Sequence, residues 1–203
     1  MDWSSILSVI VVALVVVGLP LALRKRKKVG HLKREELCQH LKEIGIEASL
    51  VEKGDDKEKI GLSRASGQKS EGIIRIEGKN IDSINVIGVT SQYGTNYFID
   101  YLVKTPNIIG KRTFKKTRLI RKKNSPFGGK VVAIGWKGDE SLAQSLNFDY
   151  RLSDRLQQND FKGSIELIPE PKHGYSRIRT SYLDLSPELV KAMDIIAKHI
   201  KSW

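Results

Sequence analysis

The pattern of apolar and polar positions divides the chain into two unequal parts. From Ile6 to Leu23 the residues are nearly all Val, Leu, Ile and Ala, broken only by Ser8, Gly18 and Pro20, and no charge stands between Asp2 and Arg24. Beyond Gly30 the apolar residues are spread out. Their spacing there changes from helical to alternating and back, as in a chain that folds around its own core.

The first part has the length of a membrane span. A bilayer's hydrocarbon core is about 30 Å thick and a helix rises about 1.5 Å per residue, so about 20 apolar residues cross it. Trp3 to Leu23 is 21 residues. In lipid every backbone N–H and C=O has to be satisfied within the segment, which predicts a helix in spite of the β-branched runs at 9–12 and 15–17. Pro20, two residues after Gly18, predicts either a kink in the last turn or the point where the helix loosens, and Trp3 stands where an interfacial ring belongs. Arg24, Lys25, Arg26, Lys27 and Lys28 follow at once. A cleaved signal peptide would carry its positive charges before a shorter core. Charges after a long core predict a single-pass anchor over residues 1–28, N-terminus outside, with residues 29–203 as a cytoplasmic domain.

Within that domain the spacing predicts a helix over 32–44, where Leu37, Leu41 and Ile44 share a face with Cys38 beside them, and Gly45 ends it. Cys38 is expected in the core. The period then becomes two, predicting strands at Lys59–Ser63, Gly72–Glu77, Ser83–Thr90 and Thr95–Lys104, with a hairpin loop at 91–94. Further strands are predicted at Lys130–Trp136, Ser164–Ile168 and Tyr175–Leu183. Two short helices are predicted between them, one from an Asp139 cap through Leu142, Ala143 and Leu146, one over Tyr150–Gln157. The last helix is the clearest. Ser186 caps it, Pro187 and Glu188 open it, and Leu189, Met193, Ile196 and Ile200 form its apolar stripe.

The expected fold is therefore α+β: a transmembrane helix, then a mostly antiparallel sheet of about eight short strands with helices packed on it and a C-terminal amphipathic helix. Strands capped by such a helix resemble a lipid-binding pleckstrin-like barrel in outline. The two helices between Asp139 and Gln157 do not fit that outline well.

Charge sharpens the picture. The net charge is +12, and its excess is confined to two segments: residues 1–30 carry +4 and residues 111–130 carry +9, while 31–110 sum to −1 and 131–203 to zero. The single Cys excludes an intramolecular disulfide and suits a reducing compartment. Between Lys111 and Lys123 eight of thirteen residues are basic and none is acidic: Lys111, Arg112, Lys115, Lys116, Arg118, Arg121, Lys122 and Lys123. Such a run protects a sheet edge from pairing, or it binds anions. Beside an anionic leaflet each basic residue gains about 1 kcal/mol. With Arg24–Lys28 the run would hold the domain against phospholipid head groups; a protein partner is the other expected ligand. Phe114 is the lone aromatic in the run, and no helix-turn-helix, zinc-finger or ribonucleoprotein pattern accompanies it, which argues against nucleic acid.

A second candidate lies in Pro169–Tyr182. Alternation puts Arg177 and Arg179 on one strand face, close in sequence to Lys172 and His173, where their forks could take a phosphate or carboxylate. The competing reading pairs these arginines with Glu166 or Glu170 across strands. Glu166, Glu170 and Lys172 also resemble faintly the acid-and-lysine set of metal-dependent nucleases, but Pro169 and Pro171 should spoil a regular strand, and such sites need several convergent carboxylates. His31, His40, His173 and His199 lack metal-ligand spacing, Gly128-Gly129-Lys130 is too short for a phosphate loop, and there is no Gly-x-Ser-x-Gly. The expectation is a non-enzymatic binding domain at a membrane, without catalytic residue, metal or cofactor. The alternatives are a tethered metal-dependent hydrolase or nuclease, and a tethered nucleic-acid binder.

Overall fold

In the computed structural model the described residues are 34–62, 67–92, 94–110, 115–123, 131–158, 161, 163–181 and 186–202. The expected membrane span and its basic tail, Arg24 to Lys28, lie outside them, as do Lys111 and Arg112. Among the described residues no helix is long and apolar enough to cross a membrane.

The domain is built on one sheet of eight strands: β1 (Ala48–Leu50), β2 (Gln68–Ile76), β3 (Ser83–Ser91), β4 (Gly94–Lys104), β5 (Thr117–Lys123), β6 (Val131–Lys137), β7 (Ile165–Glu170) and β8 (Tyr175–Ser181). Their spatial order is β1-β2-β3-β4-β8-β7-β5-β6, and every neighbouring pair is antiparallel. Among the described residues four α-helices complete it: α1 (residues 34–43), α2 (Glu140–Asn147), α3 (Tyr150–Gln158) and α4 (Pro187–Lys201). β1 and β6 are open edges, so the sheet does not close on itself and the barrel outline is corrected.

Alternation gives each strand one face for the core. Ile74, Ile84, Val86, Ile99, Tyr101, Ile178, Ile165 and Leu167 face the helices, which return Leu37 and Leu41 from α1, Leu146 from α2, Leu152 and Leu156 from α3, and the stripe Leu189, Met193, Ile196 and Ile200 from α4. Each such side chain contributes about 1.5–3 kcal/mol by leaving water. Cys38 is in this core, and burial pushes its thiol up despite Lys42 and Arg34 nearby. Ser186 accepts from the Leu189 N–H and caps α4.

Local chemistry moved several boundaries. In place of the expected strand at Lys59–Ser63, whose Ser63 lies outside the described residues, there is a 3-10 turn at Asp56–Lys59, because Asp55 accepts from the Lys57 N–H at 2.8 Å and Ile60 turns inward on the far face of the sheet. β1 has only three residues and shows no period of its own. β2 starts at Gln68 rather than Gly72, through an irregularity between Ser70 and Gly72, where Gly72 takes a φ of 130°. Pro169, expected to spoil a strand, lies inside β7 opposite Ser176. It is tolerated because β5 pairs with β7 only at Leu167 and Glu166, which leaves the other side of Pro169 without a ladder partner to lose.

Candidate functional site

The helices cover one face of the sheet, and the charged chemistry collects on the other. Asp100 of β4 stands opposite Arg179 of β8 and is fully buried. Its Oδ1 accepts from Arg179 Nε at 2.7 Å, and its Oδ2 from Arg179 Nη2 at 2.7 Å and Arg177 Nη1 at 2.9 Å. Arg177 gives its Nε and Nη2 to Glu170 Oε1 at 2.9 and 2.6 Å. Burial works against the charge of Arg179, but Asp100, helped by Glu166 and Glu170, outweighs it and raises the guanidinium's pKa. Gly61 closes over this network; a Cβ there would overlap the Arg177 guanidinium. Two arginines and two carboxylates leave the cluster neutral. Arg177 and Arg179 are thus brought together, but their forks are spent on carboxylates, while Lys172 and His173 sit exposed in the turn after Glu170. Pairing with Glu170 was one of the readings available from sequence. Asp100, far away in the chain, carried no signal of its role, because an acid in an alternating strand reads as solvated.

The basic run is divided by its own strand. Arg118, Ile120 and Lys122 point away from the helices. Arg121 points toward them and donates Nη1 to the Phe161 carbonyl at 3.0 Å. Lys116 binds Glu166 at 2.7 Å. The register sets Arg118 beside Lys137, Ile120 beside Gly135 and Lys122 beside Ala133. The result is a sheet face, uncovered among the described residues, on which exposed Arg118, Lys122 and Lys137 surround Ile120, itself 42 % exposed, with exposed Lys115 close by in sequence. Neither β5 nor β6 contains an acidic residue. Lys137 belongs to this face although it lies outside the run in sequence.

Three residues from separate segments form a further constellation. His199 of α4 approaches Ser145 Oγ with Nδ1 at 2.7 Å and Asp149 Oδ2 with Nε2 at 2.9 Å. Asp149 also caps α3, its Oδ1 accepting from the Leu152 N–H at 3.0 Å. Burial opposes the charge of Asp149, but the His199 ring and the N–H groups of Leu152 and Arg151 outweigh it and hold the carboxyl below the usual range. The trio has the composition of a nucleophilic triad. Yet Ser145 projects from the middle of a helix, and N–H groups at the start of α3, which could have met an oxyanion, are spent on Asp149. The arrangement fits a fastening of α2, α3 and α4 better than a reaction centre. Among the described residues no group of three or more His, Cys, Asp or Glu is placed to hold a metal ion.

Beside this trio, Asn147 caps the outer edge of β6 at one residue: its Oδ1 accepts from the Trp136 N–H at 2.8 Å and its Nδ2 donates to the Trp136 carbonyl at 3.2 Å. Phe148 and Tyr150 follow, both strongly exposed. Compared with known families, curated proteins and solved structures, the chain matches none.

Proposed function

We propose that the protein is a single-pass membrane protein whose cytoplasmic domain is a binding module rather than an enzyme, and that the basic face of β5 and β6 engages the anionic phospholipid surface beside which the domain is held. The observation that carries this reading is the register that gathers Arg118, Lys122 and Lys137 around Ile120 with no acid on either strand. The linker adds to it. Ten residue steps separate Arg24 from Arg34, and an extended chain covers at most about 3.3–3.6 Å per step, roughly 35 Å here. A domain on so short a tether stays near the leaflet, and the entropy of bringing it there is already spent. Each basic residue then contributes about 1 kcal/mol, screened over a Debye length of about 8 Å at physiological salt.

The alternatives draw less support. Glu166 and Glu170 of the hydrolase reading each hold a cation, Lys116 and Arg177. For nucleic acid, β5 has no aromatic residue to stack a base, and Trp136 of β6 is buried among the core residues.

The test uses the full chain in nanodiscs of phosphatidylcholine alone or with phosphatidylserine added. Hydrogen exchange of peptides covering 115–123 and 131–137 should slow on the anionic discs only. The slowing should vanish at high salt and in the triple variant Arg118→Glu, Lys122→Glu, Lys137→Glu. Equal exchange on both discs removes the lipid reading. Protection by added oligonucleotide or by an acidic protein in its place would reassign the face.

A further inference from the structure

Phe148 and Tyr150 flank the turn between α2 and α3 and are 66 % and 75 % exposed, more than any other large hydrophobic residue among those described. Folding offers no reason to leave two aromatic rings in water two residues apart. We infer that this corner, Phe148 to Arg151, is a lipid-inserting knob that seats the domain on the membrane along its β6 edge. The inference rests on the anchoring reading above and adds which part of the domain enters the interface.

Four observations converge on the corner. First, it is rigid. Asn147 pins it to both backbone groups of Trp136, and Asp149 ties it to α3 and to His199, so little conformational freedom is left to lose on insertion. Second, the one acid between the rings is turned away. Asp149 spends its oxygens on Leu152 and His199, so its charge does not front the lipid between Phe148 and Tyr150. Third, a cation borders the rings. Arg151 is exposed and lines a shallow hollow together with Phe148 and Tyr150; Asp149 and His199, bonded to each other, lie in the same hollow. Fourth, the corner meets the edge of the strand that carries Lys137. Asn147 touches Trp136, the residue before Lys137, and Lys137 pairs with Arg118. An apolar and an amphipathic ring with a basic border are a composition that settles at the lipid–water boundary, the rings among the upper acyl carbons and the cation among phosphates. An anionic leaflet supplies the complementary charge. A domain resting on the β6 edge would present the knob on one side of that strand and Arg118, Lys122 and Lys137 on the other.

The experiment places an environment-sensitive fluorophore on Tyr150→Cys in the full chain, with Glu52→Cys, in the exposed loop after β1, as the comparison site. Cys38 stays in place, since it is buried. The labelled chain is put in nanodiscs of phosphatidylcholine with phosphatidylserine whose acyl chains carry a quencher. The label at 150 should be quenched several-fold more than the label at 52. Phosphatidylcholine discs or Phe148→Ser should reduce that difference several-fold, with hydrogen exchange of the core strands unchanged. A chain retained in the discs whose label at 150 is no more quenched than at 52 overturns the knob and leaves the anchor standing. A chain not retained in the discs at all overturns the anchor, and the knob with it.

Discussion

Asp100 holds two guanidinium groups from a position with no exposure of its own. A buried charge cluster of this kind gains little over an apolar core, but it becomes costly once one partner is removed. Asp100→Asn keeps the shape and removes the charge that both arginines face. Stability to urea should fall by about 3–5 kcal/mol, because half-buried Arg179 loses its principal counter-ion and buried Arg177 one of its two. A drop within about 0.5 kcal/mol, the range of an ordinary surface change, would mean that the cluster is not a fastening at all. The importance of Asp100 could not be read from sequence. Its partners come from β8, and nothing local to Ile99 or Tyr101 distinguishes it from an exposed strand acid.

At the scale of elements, legibility followed length and self-sufficiency. α4 was plain in the sequence because its cap, its first turn and its apolar stripe are all written within Ser186 to Lys201. The long hairpin of β3 and β4 was nearly as plain. β1 and the turn at 56–59 were not, because a three-residue strand exists only through its partner Ile74–Ile76, and an Asp55 cap decides between two conformations of the same residues. The joint between α2, α3 and α4 is of the same kind, since Ser145, Asp149 and His199 meet only after the helices pack. It also gives a pH prediction. Asp149 is held below its ordinary range in the folded state. Its contribution is therefore present above the unfolded carboxylate pKa, about 3.9, and is lost as pH falls through the lower folded value. Asp149→Asn should unfold at a lower temperature than the natural protein near neutral pH, and the gap should close in acid. A gap that stays constant from neutral pH into acid would show that the carboxylate's charge is not what fastens the helices.

For the described residues as a whole, the sheet is covered by helices on one side and carries Arg118, Lys122 and Lys137 on the other. If the anchor reading holds, that asymmetry meets a second one, a single membrane on one side of the domain. Protease added outside sealed cells should then leave the body intact, and opening the cells should expose it; cleavage from outside only would reverse the orientation. What the amino-acid sequence determined alone is whatever depends on neighbours along the chain. The apolar run and its basic flank, the confinement of charge to residues 1–30 and 111–130, the strand periods and the terminal helix are of this kind. The tertiary structure alone decided the strand order, the open edge at β6, the separation of Arg121 from Arg118 and Lys122, the recruitment of Lys137, and the burial of Asp100 between two arginines. The physical reason is the same for each. Periodicity assigns a side chain to one of two faces, but only the pairing of distant strands says what else lies on that face and whether a helix covers it.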